Sequence, residues 1–177
     1  MNAITTQKKT FDALKEDLKL KNIMQTPKVV KIVVSTGVGK VNKDQKRMGL
    51  VKDRLARITG QAVAARVAKK AIANFKSRAG DTVGFQVTLR GERAEAFLQK
   101  LIHIVFPRVK DFRGLKSGAI DEMGNITIGI KEHTVFPETA DEDSKDVFGV
   151  AITIVTTAKD KTSAEKFLRH LGVPLQQ

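Results

Sequence analysis

Between Gly84 and Pro107 the sequence changes its period within two residues. "GFQVTLRG", Gly84 to Gly91, alternates: Phe85, Val87 and Leu89 point one way and Gln86, Thr88 and Arg90 the other. Directly after it, Glu92 to Phe106 has helical spacing, with Ala94, Phe97, Leu98, Leu101 and Val105 on its apolar side and Pro107 as its stop. A strand with one apolar and one polar face belongs in a sheet covered on one side only. The helix that follows it is the natural cover.

The rest of the chain repeats the same two patterns. Thr6 to Asn22 reads as an amphipathic helix with Phe11, Leu14 and Leu18 on one side, and Pro27 bars anything helical there. "KVVKIVVS", Lys28 to Ser35, is β-branched and strand-like, and "TGVG", Thr36 to Gly39, reads as a turn. Asn42 is placed to cap a second helix with a stripe at Met48, Val51, Leu55 and Ile58, closed by Gly60. Gln61 to Ala68 is a weak strand, Gly124 to Ile130 a clear one, and Val147 to Ala158 the most apolar one. The last helix opens with a capping box from Thr162 to Glu165, buries Phe167, Leu168 and Leu171, and stops at Gly172 and Pro174. The order α β α β β α β β α predicts an α+β domain, with an antiparallel or mixed sheet, helices on one face and an open opposite face. No repeat, low-complexity segment or linker divides the chain, which predicts one domain.

Charge points to the partner. The chain carries 32 Lys/Arg against 19 Asp/Glu in 177 residues, for a formal net charge of +13. The excess is concentrated: Lys21 to Lys116 holds 22 basic and six acidic residues, while the rest of the chain is slightly acidic. Such a field selects a polyanion. Its cations cluster at turns and strand ends, at Lys69-Lys70, Lys76 and Arg78, Arg90 and Arg93, and Arg108, Lys110, Arg113 and Lys116. Two of the longer loops differ in sign: the segment after Pro107 is basic, whereas Glu138 to Asp146 is acidic.

Other chemistries lack their residues. The absence of cysteine removes disulfides, thiolate zinc sites and cysteine nucleophiles. "STGVGKV", Ser35 to Val41, has Val34 where a Walker loop needs its first glycine and Val41 where it needs Ser or Thr, so nucleotide-dependent catalysis is not expected. His103, His133 and His170 are far apart, and His133 with Glu132 and Glu138 makes no metal signature. No cofactor, metal or enzymatic activity is expected. No apolar run approaches the roughly 20 residues that cross a bilayer, and the charged, helix-patterned start does not read as a signal peptide. With no Trp or Tyr and nine Phe, the sheet is not expected to carry the aromatic stacking surface of common RNA-recognition folds.

"AIANFKSRAGDT", Ala71 to Thr82, fits neither period. Its lone aromatic, Phe75, sits beside a basic tip, Lys76-Ser77-Arg78. The pattern leaves two readings open: a core anchor for the loop, or a residue that touches RNA. Phe106 and Phe112 likewise stand outside any stripe.

Segments along the chain resemble, in order, a known family. These are "NIMQTPKVVKIVVSTGVG", "ITGQ", "AKKAIANFKSRAGDTVGFQVTLRGERAEAFLQKLI", "FPRVKDFRGL", "GNITIGIKEHTVFPE" and "ITIVTTAK". They are similar to the bacterial-type L five family of large-subunit ribosomal proteins. The resemblance runs from about Asn22 to the C-terminus, and "VTLRGER" followed by "PRVKDFRGL" is its most specific part. It implies an α+β protein of the cytoplasmic ribosome that binds 5S ribosomal RNA in the central protuberance and lies against large-subunit ribosomal RNA. It implies further contacts with the elbow of peptidyl-site transfer RNA and, across an intersubunit bridge, with a small-subunit head protein.

Carried over residue by residue, the resemblance assigns 5S RNA contacts to Gln25, Lys31, Ser35, Thr36, Phe75, Thr88 and Arg90; Lys69, Lys70 and Arg93 are expected to bind ribosomal RNA from their charge at turns and strand ends. It assigns the transfer-RNA loop to Phe75, Lys76, Ser77, Arg78, Ala79 and Gly80, and it favours RNA contact for Phe75. Three places depart from the family pattern: Ser35-Thr36 for Asn-Met, Glu122-Met123-Gly124-Asn125 for Gly-Arg-Gly-Asn, and Thr139-Ala140-Asp141 for Ile-Asp-Tyr. The alternative to this reading is a general basic nucleic-acid-binding architectural protein.

Overall fold

A computed structural model describes residues 3–39, 44–75, 77–139 and 146–176. The side chains of residues 3–7 and of Phe75 lie outside that description. Its five strands are β1 (Val29–Gly37), β2 (Ala64–Val67), β3 (Thr82–Leu89), β4 (Ile126–Ile130) and β5 (Val150–Thr156). They form one sheet in the order β2-β3-β1-β5-β4, and every pairing is antiparallel. Of the two expectations, antiparallel or mixed, the first holds.

Alternation decides which residues are inside. Ile32 and Val34 of β1 lie opposite Leu89 and Val87 of β3 and Ile154 and Ile152 of β5, and Ile126 and Ile128 of β4 continue the rows. All eight are buried, on the face that α2 (Gln45–Thr59) and α3 (Glu92–Lys100) cover. The C-terminal helix (Lys161–His170) adds Ala164 and Leu168 to the same core. Lys100 ties the helical layer together. Its ammonium donates to the Ile58 carbonyl and to Glu138, both at 2.6 Å, and sits over the rings of Phe97 and Phe136.

Several boundaries differ from the sequence reading, each for a local reason. The first helix, α1 (Ala3–Leu14), stops well before Asn22, where turns and a positive φ at Lys19 replace it. "TGVG" is not wholly a turn: β1 runs through Thr36 and Gly37, pairing with Phe85 and Gly84. A Cβ on Gly84 would stand 2.9 Å from the Thr36 carbonyl oxygen, so this close strand approach requires glycine. Asn42 lies outside the described residues; Asp44 caps α2, accepting from the N–H groups of Lys46 and Arg47. Gly60 closes α2 in the left-handed region, as expected.

The third helix does not stop at Phe106. It widens into a π-helical turn, Leu101–Val105, and ends as a last α-turn, Phe106–Arg108. Pro107 sits inside that turn, where its missing N–H and its ring disfavour ordinary α bonding to the preceding turn. The capping box also fails. Asp160 occupies the N-cap of the C-terminal helix without a side-chain bond, and Thr162 is already helical. Most of the acidic loop from Glu138 lies outside the described residues.

Candidate nucleic-acid interface

The odd-numbered residues of β1 face away from the helices. Lys31, Val33 and Ser35 stand there with Gln86 and Thr88 of β3, Ala151, Thr153 and Val155 of β5, and Thr127 of β4. Ser35 lies opposite Gln86 on one side and Ala151 on the other; Val33 lies opposite Thr88 and Thr153. On the edge strand, Arg66 donates to the Gln86 side-chain carbonyl at 2.6 Å. None of these residues is acidic. The surface is small, hydroxyl-rich and positive.

Its two ends differ. The β1–β3 ladder ends at Ile32 and Leu89, so Lys31 and Arg90 are the next residues of the two chains at this end of the sheet. Neither cation has an ion-pair partner among the described residues. Two uncompensated cations at one end of a sheet favour an anion there. At the same corner Gln61, just past α2, donates to the Thr88 carbonyl at 3.1 Å and accepts from Arg93 at 3.5 Å. Gln61 escaped the sequence reading as a site residue. Its only signal was a polar side chain immediately after a helix-ending glycine. Gln25 sits at this end of β1, exposed, its side-chain carbonyl accepting from the Lys21 N–H at 3.0 Å.

At the other end, β2 and β3 extend past the sheet as a hairpin. The Ala68 N–H bonds to Asp81, Gly80 returns a bond to Ala68, and Ile72 and Ser77 exchange both backbone bonds. Beyond the last strand pair, Val67 with Thr82, residues 68–75 and 77–81 are therefore an excursion closed by its own bonds, which is why "AIANFKSRAGDT" follows neither period. Lys69, Lys70, Arg78, Ala79 and Gly80 are exposed, while Ser77 is half-buried. Phe75 ends a short 3-10 turn, Ala73–Phe75. Its side chain, and the whole of Lys76, lie outside the described residues.

Thr36 is the expected contact that the fold removes from this surface. It shares the parity of Ile32 and Val34, is only 5% exposed, and donates its hydroxyl to the Gly149 carbonyl at 2.7 Å. Its side chain belongs to the core, so it does not join Ser35. Phe106 and Phe112 are settled too: their rings stack on one another at 5.2 Å, with Phe106 buried. The four cations of the adjoining loop, Arg108, Lys110, Arg113 and Lys116, are exposed.

His133 and Arg54 form a buried polar pair that periodicity alone did not flag. Arg54 occupies the α2 stripe between Val51 and Leu55, and its guanidinium approaches Nε2 of the fully buried His133 at 3.2 Å. The His133 ring stacks on Phe148 at 4.1 Å. Burial first, and the Arg54 charge second, hold the His133 pKa below its ordinary value. His103 is exposed. Among the described residues, no three His, Cys, Asp or Glu side chains gather to hold a metal, and no helix is long and apolar enough to cross a membrane.

Comparison with known proteins supplies the family. A family model described as ribosomal protein L5 matches residues 22–78, and a second model, for the C-terminus of the same ribosomal protein family, matches residues 82–175. The large ribosomal subunit protein uL5 of Onion yellows phytoplasma is 46% identical over 163 residues, covering 92% of this chain and 90% of that protein. Its counterpart in Parasynechococcus marenigrum is 44% identical, covering 92% and 91%. That of Ureaplasma urealyticum is 42% identical, covering 93% and 89%.

Proposed function

The chain belongs to the ribosomal protein L5 family, and from that membership we propose that its open sheet face binds 5S ribosomal RNA. As a member of that family it is a structural constituent of the large ribosomal subunit and not an enzyme. One observation carries the finer reading. The open face joins Lys31 and Arg90, both at one end of the β1–β3 ladder and unpaired among the described residues, to a field of hydroxyls and amides without a carboxylate.

The mechanism is charge neutralisation with shape. Phosphates of a folded RNA take the place of the counter-ion that Lys31 and Arg90 lack, and counterions leave the RNA as they bind. Ser35, Thr88, Gln86 and Thr153 offer short side chains to riboses and base edges, a mode suited to reading RNA shape without stacking. Gln61 orients Arg93 against the same corner. The exposed hairpin with Lys69, Lys70 and Arg78 extends beyond the sheet, and its role is phosphate contact with peptidyl-site transfer RNA. Large-subunit ribosomal RNA and a small-subunit head protein across an intersubunit bridge complete the set of partners.

Capture of RNA from a cell lysate by the full chain, followed by sizing, tests this. One small discrete RNA, not displaced by excess duplex DNA at moderate salt, is the expected result. Equal displacement by duplex DNA would mean a general basic nucleic-acid binder.

A further inference from the structure

A second concave surface lies on the far side of the β1 corner from Lys31 and Arg90. It is a groove of about 1330 Å³ between Gly37–Gly39, the Ala68–Ser77 arm of the hairpin and the Val147–Gly149 segment. None of the open-face residues assigned to 5S RNA lines it; it shares Lys69 and Lys70 with the RNA-facing hairpin. Its apolar wall includes Val51, Val83 and Phe148, and its rim carries Lys69, Lys70 and Asn74, all three exposed. Among the described residues, no carboxylate belongs to its lining. Arg47, also on the wall, is partly neutralised by Asp146 at 3.4 Å, so among the described lining residues the free positive charge is that of the two lysines.

Phe148 is the informative residue. Its ring is partly buried against the core, and one face lies nearly parallel to His133, 9° apart with centroids at 4.1 Å. His133 is fully buried and held in turn by Arg54. The Phe148 ring is thus a fixed plate, backed by a buried stack, in a groove edged with lysine. A flat aromatic wall beside two cations matches an unpaired nucleotide, whose base has an apolar face and whose phosphates are anionic. We propose that this groove binds one unpaired nucleotide of RNA, its base stacked on Phe148, its flanking phosphates on Lys69 and Lys70, and its base edge within reach of Asn74. The proposal rests on the chain's being an RNA-binding protein and adds a site outside the sheet face.

The test uses the full chain and a short single-stranded oligoadenylate with a central 2-aminopurine, whose fluorescence is quenched when it stacks. Binding should quench it. Phe148→Leu should abolish the quench and weaken binding by about 5- to 150-fold, the range for losing one stacked base. Because that change also touches the His133 stack, a second variant reverses exposed charge only. The Lys69→Glu, Lys70→Glu pair should bind more weakly, and lose more of its salt dependence, than the same reversal at the exposed Lys159 and Lys161. A quench that survives Phe148→Leu, or equal effects of the two reversals, overturns the groove. Parallel titration with 5S RNA separates the failures. If 5S RNA binds while the groove variants behave as the parent, only the groove is wrong; if neither RNA binds, both readings fall.

Discussion

Replacing Thr36 by valine keeps the shape of the side chain and removes its hydroxyl. That hydroxyl donates to the Gly149 carbonyl at 2.7 Å from a position only 5% exposed. A hydrogen bond of this kind contributes a net of about 0.5–1.5 kcal/mol. Gly149 is exposed, so its carbonyl regains water and the larger penalty for a stranded buried acceptor does not apply. The new methyl stands where the hydroxyl met that carbonyl oxygen at 2.7 Å, too close for a carbon, so its burial offsets little of the loss. The expected net cost is about 0.5–1.5 kcal/mol, which for a chain of this size lowers Tm by about 1–6 °C. Affinity for 5S RNA should stay within about twofold, because the side chain points into the helical layer. Ser35→Ala, one residue earlier on the open face, should do the reverse: little change in melting temperature, and weaker RNA binding. Thermal melts and filter-binding titrations on both variants decide it. A tenfold loss of RNA affinity in Thr36→Val with an unchanged melt would refute the assignment of faces.

Two other expectations concern stability. The His133 pKa is lowered in the fold, so below about pH 6.5 the unfolded chain takes up a proton that the fold resists, and stability, full above that pH, falls as pH drops towards the folded pKa. His133→Gln should flatten this part of the profile in urea titrations between pH 7.5 and 5.5; equal slopes in parent and variant would remove His133 as its cause. Gly84→Ala places a Cβ 2.9 Å from a backbone oxygen that cannot swing aside, so β1 and β3 must part at a cost of about 1–3 kcal/mol, and an unchanged melting temperature would show that the corner has slack.

How much of this was legible in the sequence depended on which interaction set each feature. β3 and α3 could be read directly, because Phe85, Val87 and Leu89, and then Ala94, Phe97 and Leu98, carry their own period, and all six are buried. Thr36 was legible by parity with Ile32 and Val34; treating "TGVG" as a turn, and following the family resemblance, hid it. Arg54 also kept the helical period of its stripe, yet its charge disguised a core position that only the buried His133 explains. The placement of Lys31 and Arg90 at one end of the ladder, and the meeting of Gln61, Thr88 and Arg93, depend on strand register and on where a helix ends relative to a sheet. These are long-range facts that no local pattern contains. Phe106 and Phe112 lacked a stripe because they satisfy each other across the end of the last helical turn.

The sheet-face account is tested most directly by the salt dependence of 5S RNA binding for the parent and for the Lys31→Ala, Arg90→Ala double variant. Both cations lie at the exposed end of the sheet, so their removal should leave the fold intact. Each contact, where charge-assisted and partly buried, is worth about 1–3 kcal/mol. The double variant should therefore bind at least tenfold more weakly, with a slope of log K against log salt shallower by about 1.5 to 2. An unchanged affinity and an unchanged slope would mean that RNA does not lie on this face.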